Sequence, residues 1–281
     1  MSRHTSLRVG GPADALAEPD SRAELQEVVA LARAAELPLQ FLGRGFNTLV
    51  RDGGLRGITL RLHGLRTLES RDANLLFAEA GVTHSAIARL CAETGLEGLE
   101  FAVGIPGSVG GWLRMNAGIP GREMVDIVTR VELLELASGE IREIEADALA
   151  WQYRSLELPA PSILLTAWFR VAAGEPEKVR VRQRELLDRR RSTQPIDERS
   201  CGSVFRNPPG HAAGQLIESA GLKGSNVGGA RVSEVHANFI VNGGDASASD
   251  VLELIERVRA RVRADSGIEL DPEVHVMGDE A

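Results

Sequence analysis

The chain has 281 residues, 43% of them hydrophobic and 26% charged, with a formal net charge of −8. These are ordinary values for a soluble globular protein with room for one large domain or two modest ones, and the acidic balance argues against a nucleic-acid partner. No apolar run approaches the roughly eighteen residues of a membrane span, the first residues lack an apolar signal core, and two cysteines (Cys91 and Cys201) are too few for a disulfide framework or a zinc site, so a cytoplasmic protein without a structural metal is expected.

In chain order, Ser21-Arg22-Ala23-Glu24 reads as a capping box, opening a helix on which Leu25, Val28, Val29 and Ala32 recur at helical spacing. Residues 39–42 read as a short strand running into glycines. Ile58, Leu60 and Leu62 alternate as a half-buried strand, and 75–80 form another. Thr83 caps a helix carrying Ala86, Ile87 and Leu90, which Gly95 stops. Strands are expected at 131–136 and 163–171. The composition shifts near Ala172-Ala173-Gly174-Glu175-Pro176, which places a domain boundary between 173 and 174. A charged helix over 176–192 follows. Leu216, Ile217 and Ala220 suit a helix ended by Gly221, and 237–241 a strand. Val251, Leu254, Ile255, Val258 and Val262 form one stripe of a long helix, capped near Ser249 and ended by Gly267, before a last strand over 268–277. Strands and helices mix without strict alternation, which favours an α+β fold over a doubly wound parallel sheet.

Three glycine-rich stretches stand out. Leu42-Gly43-Arg44-Gly45-Phe46-Asn47-Thr48-Leu49-Val50 follows a strand and lets backbone N–H groups converge, the geometry that binds phosphate oxygens. Thr48 occupies the third glycine position of the dinucleotide fingerprint, and no Gly-Lys-Ser/Thr is present, so neither the Rossmann nor the P-loop pattern fits. Gly104-Ile105-Pro106-Gly107-Ser108-Val109-Gly110-Gly111 carries four glycines and a proline in eight residues, with Met115-Asn116-Ala117-Gly118 close behind. Leu7-Arg8-Val9-Gly10-Gly11-Pro12-Ala13 is the third. Glycine removes side chains where a flat ligand or a phosphate approaches the backbone, so the three together suggest a large cofactor held mainly by main chain.

Taken in order with Thr5-Ser6-Leu7-Arg8-Val9-Gly10-Gly11, Tyr153-Arg154, Gly202-Ser203-Val204-Phe205-Arg206-Asn207-Pro208, Val232-Ser233-Glu234-Val235-His236-Ala237-Asn238-Phe239 and Pro272-Glu273-Val274, these pieces resemble the UDP-N-acetylenolpyruvoylglucosamine reductases, within the vanillyl-alcohol-oxidase-like flavoproteins. The resemblance runs over nearly the whole chain. It implies a two-lobed FAD-binding PCMH-type domain over 1–173, followed by a smaller α+β substrate-binding domain over 174–281. It implies non-covalent FAD cradled by Gly43, Arg44, Gly45, Phe46, Asn47 and Thr48 and by Gly104, Ile105, Pro106, Gly107, Ser108, Gly110, Gly111 and Asn116. NADPH is the implied co-substrate, sharing one cleft in turn with a UDP-sugar. The implied reaction reduces the enolpyruvyl ether of UDP-N-acetylglucosamine to UDP-N-acetylmuramate, in peptidoglycan precursor synthesis, by a monomer.

Such a reduction needs a hydride at the outer carbon, a cation or donor for the charge built beside the carboxylate, and a proton for the middle carbon. By resemblance, Ser203 donates the proton, Arg154 is the cation, and Glu273 is the third catalytic position, paired with Arg154 or with the reacting end of the substrate. Tyr153, Arg191, Arg206 and Asn207 are the implied holders of the UDP-sugar, arginine suiting a pyrophosphate. Without the resemblance, a turn hydroxyl is the favoured reading of Ser203 and a surface arginine that of Arg154, the plain alternative for Glu273 is an edge-strand glutamate facing water, and His236 reads as structural. The chain departs from the family pattern at Phe46, where serine is usual, at Leu156, where the Tyr-Arg-x-Ser serine is replaced, and at Arg206, where lysine is common. Tyr153 is the only tyrosine, which fits the branch lacking an inserted tyrosine loop. Two other readings stay open at this point: another flavoenzyme of the superfamily acting on a small alcohol, and a non-catalytic module that binds FAD or a UDP-sugar.

Overall fold

The structure, a computed structural model, describes residues 1–72 and 74–281. The chain divides into two compact units. One, central in sequence, comprises Leu16–Gly43 and Leu60–Arg189; the other, carrying both termini, comprises Met1–Ala15, Arg44–Thr59 and Arg190–Ala281. This division cuts the chain differently from a single boundary at 173/174. The reason is strand pairing between segments distant in sequence: His275–Met277 runs parallel to Thr48–Val50, and the Asn242 amide donates to the Leu7 carbonyl at 2.9 Å.

The central unit is built on an antiparallel sheet in the order Ile141–Glu145, Val128–Glu135, Ser162–Arg170, Leu75–Glu79, Leu68–Asp72. In its middle strand, 163 to 169 are all buried, as expected where both faces are covered. The helix Arg22–Ala34 starts at Ser21, whose hydroxyl accepts from Glu24 N. The returning arm of the expected capping box goes one residue further back, where the Glu24 carboxylate accepts from Asp20 N at 2.8 Å. Arg22 ties this helix to the sheet through Glu132 at 2.7 Å. The helix His84–Thr94 has its expected ends: Thr83 accepts from Ala86 N, and Gly95 closes it at φ +76. Trp112, Leu113, Met124, Val131, Ala167 and Phe169 fill the core beneath.

The terminal unit carries a four-stranded sheet in the order Ser200–Ser203, Phe239–Asn242, Ala230–Val232, Asn226–Val227. The helices Ala213–Ser219 and Ala248–Ser266 contribute to one core with it, in which Val251, Leu254, Ile255, Val258 and Val262 form the expected stripe. The long helix ends at Gly267 as expected, yet its cap is Ser247 rather than Ser249, in a capping box with Asp250. Ser249 lies inside the first turn, where its N–H and hydroxyl donate to Asp52 at 2.9 and 2.7 Å. The expected strand over 268–277 is reduced to His275–Met277; upstream, Pro272 makes only an isolated bridge to Phe205.

Candidate active site

In the central unit, the second glycine stretch is pinned to its surroundings at a few points. Val109 N and Gly110 N donate to Val82 O and Ala80 O at 3.0 and 2.9 Å, and the Trp112 indole donates to Ile105 O at 3.1 Å. Among the described residues, the N–H groups of Gly107, Ser108 and Gly111 have no protein acceptor. Ser108, only 4% exposed, makes no side-chain cap bond. A Cβ added to Gly111 would meet nothing within 4 Å, one on Gly107 nothing nearer than 3.9 Å, and one on Gly43 only the Ser108 hydroxyl at 3.7 Å. Unclaimed donors beside missing side chains make a surface that suits a flat, phosphate-bearing ligand. Gly104, Ile105 and Pro106 are half-buried along it. Asn116 is different. Buried at φ +39, its amide donates to Glu123 Oε2 at 2.8 Å and to Gln152 O at 3.1 Å, while its oxygen accepts from Val125 N at 3.0 Å. Its side chain shapes the loop from inside.

The first glycine stretch leaves the central unit at Gly43 and continues in the terminal unit. Among the described residues, the N–H groups of Gly43, Arg44, Gly45 and Phe46 also have no protein acceptor, the run of donors that forms an anion nest. Gly45 sits at φ +70, and a side chain there would collide with the backbone of His4 and Thr5, so both conformation and space require glycine. The Ser6 hydroxyl donates to Ser200 O at 2.6 Å and lies 3.0 Å from Gly45 O. Phe46 is half-buried, and Thr48 begins the strand Thr48–Val50. Asn47 reaches the other end of the chain. Its amide donates to Glu273 O at 3.1 Å, and its carbonyl accepts from His275 N at 3.1 Å.

That contact brings Glu273 into the same neighbourhood as Ser203. Glu273 N donates to Val204 O at 2.7 Å, and Arg206 N to Asp271 O at 2.9 Å. Between Ser200↔Val241 and Ser203↔Phe239 the register slips by one residue. The extra residue is accommodated where Gly202 adopts φ +84, with open space where its Cβ would be. A bulge of this kind re-aims the residue that follows, here Ser203. Asn238, 4% exposed, clamps the next step, donating to Phe205 O at 2.8 Å and accepting from Phe205 N at 3.0 Å. Burial above all, with the Glu273 carboxylate adding to it, pushes the Cys201 thiol up to about 12, which leaves it protonated and inert. His236 accepts from Asn238 N at 3.2 Å through Nδ1 and stands edge-on to Phe239. Burial, reinforced by the Lys223 charge, lowers its pKa, consistent with a neutral structural histidine.

Of the expected sugar-nucleotide residues, Arg206 pairs with Asp271 at 3.2 Å while its Nε is buried without a partner among the described residues. Asn207 Oδ1 accepts from Ala213 N at 3.0 Å. Arg191 is exposed; its neighbour Arg190 is the one that burial pulls down to about 10. In the central unit, Tyr153 and Arg154 form the two-residue turn between Ala150–Gln152 and Ser155–Glu157. Arg154 holds φ +58, donates to Glu123 Oε1 at 3.2 Å and Gly118 O at 3.1 Å, and lies 4.8 Å from the Tyr153 ring. Leu156 is fully buried in the core beside this turn. Its departure from the usual serine is thus a packing choice.

A family model described as UDP-N-acetylenolpyruvoylglucosamine reductase, C-terminal domain, matches residues 194–277, and one described as FAD binding domain matches residues 13–145. The UDP-N-acetylenolpyruvoylglucosamine reductase of Syntrophus aciditrophicus is 44% identical, over 100% of this chain and 91% of that protein. The chain belongs to the UDP-N-acetylenolpyruvoylglucosamine reductase family. The corresponding reductase of Trichlorobacter lovleyi is 43% identical over 99% of this chain and 91% of its own length. A solved structure of the family, the enzyme of Thermus caldophilus, matches with a TM-score of 0.85 at 35% identity, over 99% of this chain and 97% of that one. The FAD-binding match contains both glycine loops, and the reductase match contains Ser203, Arg206, Asn207 and Glu273; Tyr153, Arg154 and Arg191 fall outside both. Glu123, Ser6 and Asn238 are the contributors that sequence reasoning did not assign to the site. Ser6 and Asn238 lie inside motifs that carried the resemblance; Glu123 carried no visible signal.

Proposed function

We propose that the protein reduces the enolpyruvyl ether of UDP-N-acetylglucosamine to UDP-N-acetylmuramate, using electrons from NADPH passed through bound FAD, in the synthesis of peptidoglycan precursors. The observation that carries this reading is the junction inside the terminal unit. There Asn47 of the glycine loop bonds the Glu273 backbone, and Glu273 in turn bonds Val204 beside Ser203. The unclaimed N–H donors of 43–46 and of Gly107, Ser108 and Gly111 fit the pyrophosphate and the flat rings of FAD, which supplies the hydride for the outer carbon of the double bond when bound. Gly43, Arg44, Gly45, Phe46, Asn47, Thr48, Gly104, Ile105, Pro106, Gly107, Ser108, Gly110 and Gly111 are assigned to its cradle, with Asn116 bracing that cradle from within.

Ser203 holds the proton that the middle carbon takes. A serine hydroxyl is a weak acid, and it serves because the charge beside the substrate carboxylate is strongly basic. Arg154 meets that carboxylate with a permanently charged, planar guanidinium. Glu273 is assigned to the reacting end of the substrate. Tyr153, Arg191, Arg206 and Asn207 are assigned to the sugar nucleotide; the buried, unpartnered Arg206 Nε is the strongest support among them. Residues 1–173 are assigned to the flavin, with Tyr153 and Arg154 turned to the substrate, and 174–281 to the substrate; 1–15 and 44–59 share one compact unit with 190–281. The protein acts as a cytoplasmic monomer, where UDP-sugars and NADPH are at hand; among the described residues no helix is long and apolar enough to cross a membrane.

The test is an anaerobic titration. The purified protein is expected to be yellow, to bleach with NADPH and to regain its colour with the enolpyruvyl sugar nucleotide but not with small alcohols. A protein that FAD cannot turn yellow, or a reduced flavin that the sugar nucleotide leaves reduced, contradicts the assignment.

A further inference from the structure

Arg154 owes its orientation to an acidic residue that neither its own motif nor the glycine loops contain. Glu123 ends the small hairpin Gly118–Ile119/Arg122–Glu123, directly opposite Gly118. The two members of that registered pair grip the same guanidinium: Glu123 Oε1 accepts from Arg154 Nη1 at 3.2 Å, and the Gly118 carbonyl from Nη2 at 3.1 Å. The other carboxylate oxygen accepts from the Asn116 amide at 2.8 Å. The carboxylate also closes a capping box with Asp126, whose side chain accepts from Glu123 N at 2.8 Å. Asn116 in turn donates to Gln152 O, the residue that leads into the Tyr153-Arg154 turn. A chain of side chains therefore runs from the second glycine loop through Asn116 and Glu123 to Arg154. The Arg154 and Glu123 side chains are 18% and 27% exposed, so water screens this pair only partly. Arg154 also stands at φ +58, an unfavourable backbone conformation for a residue with a Cβ, the kind of outlier found where function demands a fixed direction.

We propose that Glu123 is a positioning residue for the reduction, acting through Arg154. It fixes one edge of the guanidinium so that Arg154 meets the substrate carboxylate without a search among rotamers. This rests on the role given to Arg154 under Proposed function. Two physical effects oppose each other here. The Glu123 charge disfavours a second carboxylate nearby, while the fixed fork lowers the ordering required in the transition state. In this geometry orientation wins, because Glu123 is anchored by Asn116 and the capping box and cannot swing toward the substrate.

The experiment compares Glu123→Gln, Glu123→Ala and Arg154→Ala with the double variant Glu123→Ala/Arg154→Ala, as FAD-loaded enzymes, in anaerobic stopped flow. The rate of flavin reduction by NADPH is expected to stay at the parent level in both Glu123 variants; Glu123→Gln, which keeps an acceptor for the Asn116 amide, is expected to keep the parent flavin content and melting temperature, while Glu123→Ala, which leaves that buried amide without its partner, is expected to melt lower. Reoxidation by the enolpyruvyl sugar nucleotide is expected to slow roughly 10- to 100-fold, as for a displaced positioning group. The double variant is expected to reoxidise no more slowly than Arg154→Ala. Unchanged or faster reoxidation in the Glu123 variants, with Arg154→Ala slow, overturns the inference and leaves the role of Arg154 standing. Multiplicative losses in the double variant show that Glu123 acts independently of Arg154 and also overturn it. Parent-rate reoxidation in Arg154→Ala removes the role of Arg154 and the inference together. Equal losses in both half-reactions, with lowered melting temperature in both Glu123 variants, assign Glu123 to structure alone.

Discussion

Gly111→Ala separates what the polypeptide needs from what the cofactor needs. Gly111 lies in the helix Val109–Arg114 with no left-handed backbone angle, and an added methyl meets no protein atom within 4 Å. For the flavin-free protein the change is therefore favourable. Alanine in place of a helical glycine contributes up to about 1 kcal/mol, nearer ~0.5 in so short a helix, or about 1–2 °C in Tm for a chain of this size. For the holoprotein the same methyl intrudes on a ligand that approaches the backbone closely. Forcing an extra carbon into a filled contact costs about 1–3 kcal/mol, which weakens FAD roughly 5- to 150-fold. The two effects carry opposite signs, so general damage cannot imitate them. Scanning calorimetry on the flavin-free protein reads the first, and titration of FAD by flavin fluorescence quenching reads the second. Parent-like FAD affinity refutes the placement of the cofactor against Gly111, and a less stable flavin-free protein refutes the space argument. Gly110→Ala is a useful contrast, because its methyl would press on the Ala80 side chain at 3.1 Å and so disturb the protein itself.

Three further outcomes are expected. Arg154→Gly and Arg154→Ala lose the same guanidinium, but only alanine must keep φ +58, so the glycine variant is expected to be more stable by about 1 kcal/mol in urea unfolding; equal stabilities contradict a strained turn. At Asp52, burial alone would raise the pKa, but the Ser249 hydroxyl and the N–H groups of Ala248 and Ser249 hold it below the ordinary value. Its contribution is therefore present above the unfolded value of ~4 and fades as pH falls through the lower folded value. Asp52→Ala is expected to destabilise by about 1 kcal/mol at neutral pH, with the gap to the parent closing in acid; a gap independent of pH contradicts this. Cys201, with its thiol pushed up to about 12, and Cys91, likewise raised by burial to about 12, are expected to resist iodoacetamide in the native protein at pH 8, as read by mass spectrometry of the intact chain; rapid labelling of either contradicts the burial argument.

Local signals were the most legible part of the fold. Ser21, Thr83, Gly95 and Gly267 do at their helix ends what their chemistry dictates, because caps act within one turn. The choice of Ser247 over Ser249 has a local sign, the Ser-x-x-Asp box that Ser247 forms with Asp250, whereas the partner of Ser249 was hidden: Asp52, almost two hundred residues upstream, takes its donors. The parallel pairing of His275–Met277 with Thr48–Val50 was equally hidden, since it joins segments from opposite ends of the chain, and with it went the discontinuous make-up of the terminal unit. Both glycine-rich loops stood out because glycine at that density has few other uses. Asn116 read as a ligand contact from its place in the motif, yet its polar atoms are spent inside the protein. Glu123 gave no signal, as a lone glutamate in a glycine-rich hairpin looks like any solvated charge until the Arg154 turn, distant in sequence, is folded against it.

The central claim, that Ser203 delivers the proton while the glycine cradles serve only the flavin, is tested most directly by Ser203→Ala under anaerobic single turnover. NADPH is expected to reduce the bound flavin at the parent rate, and the enolpyruvyl sugar nucleotide to reoxidise it orders of magnitude more slowly. Reoxidation at the parent rate, or an equal loss in both halves of the cycle, contradicts the account.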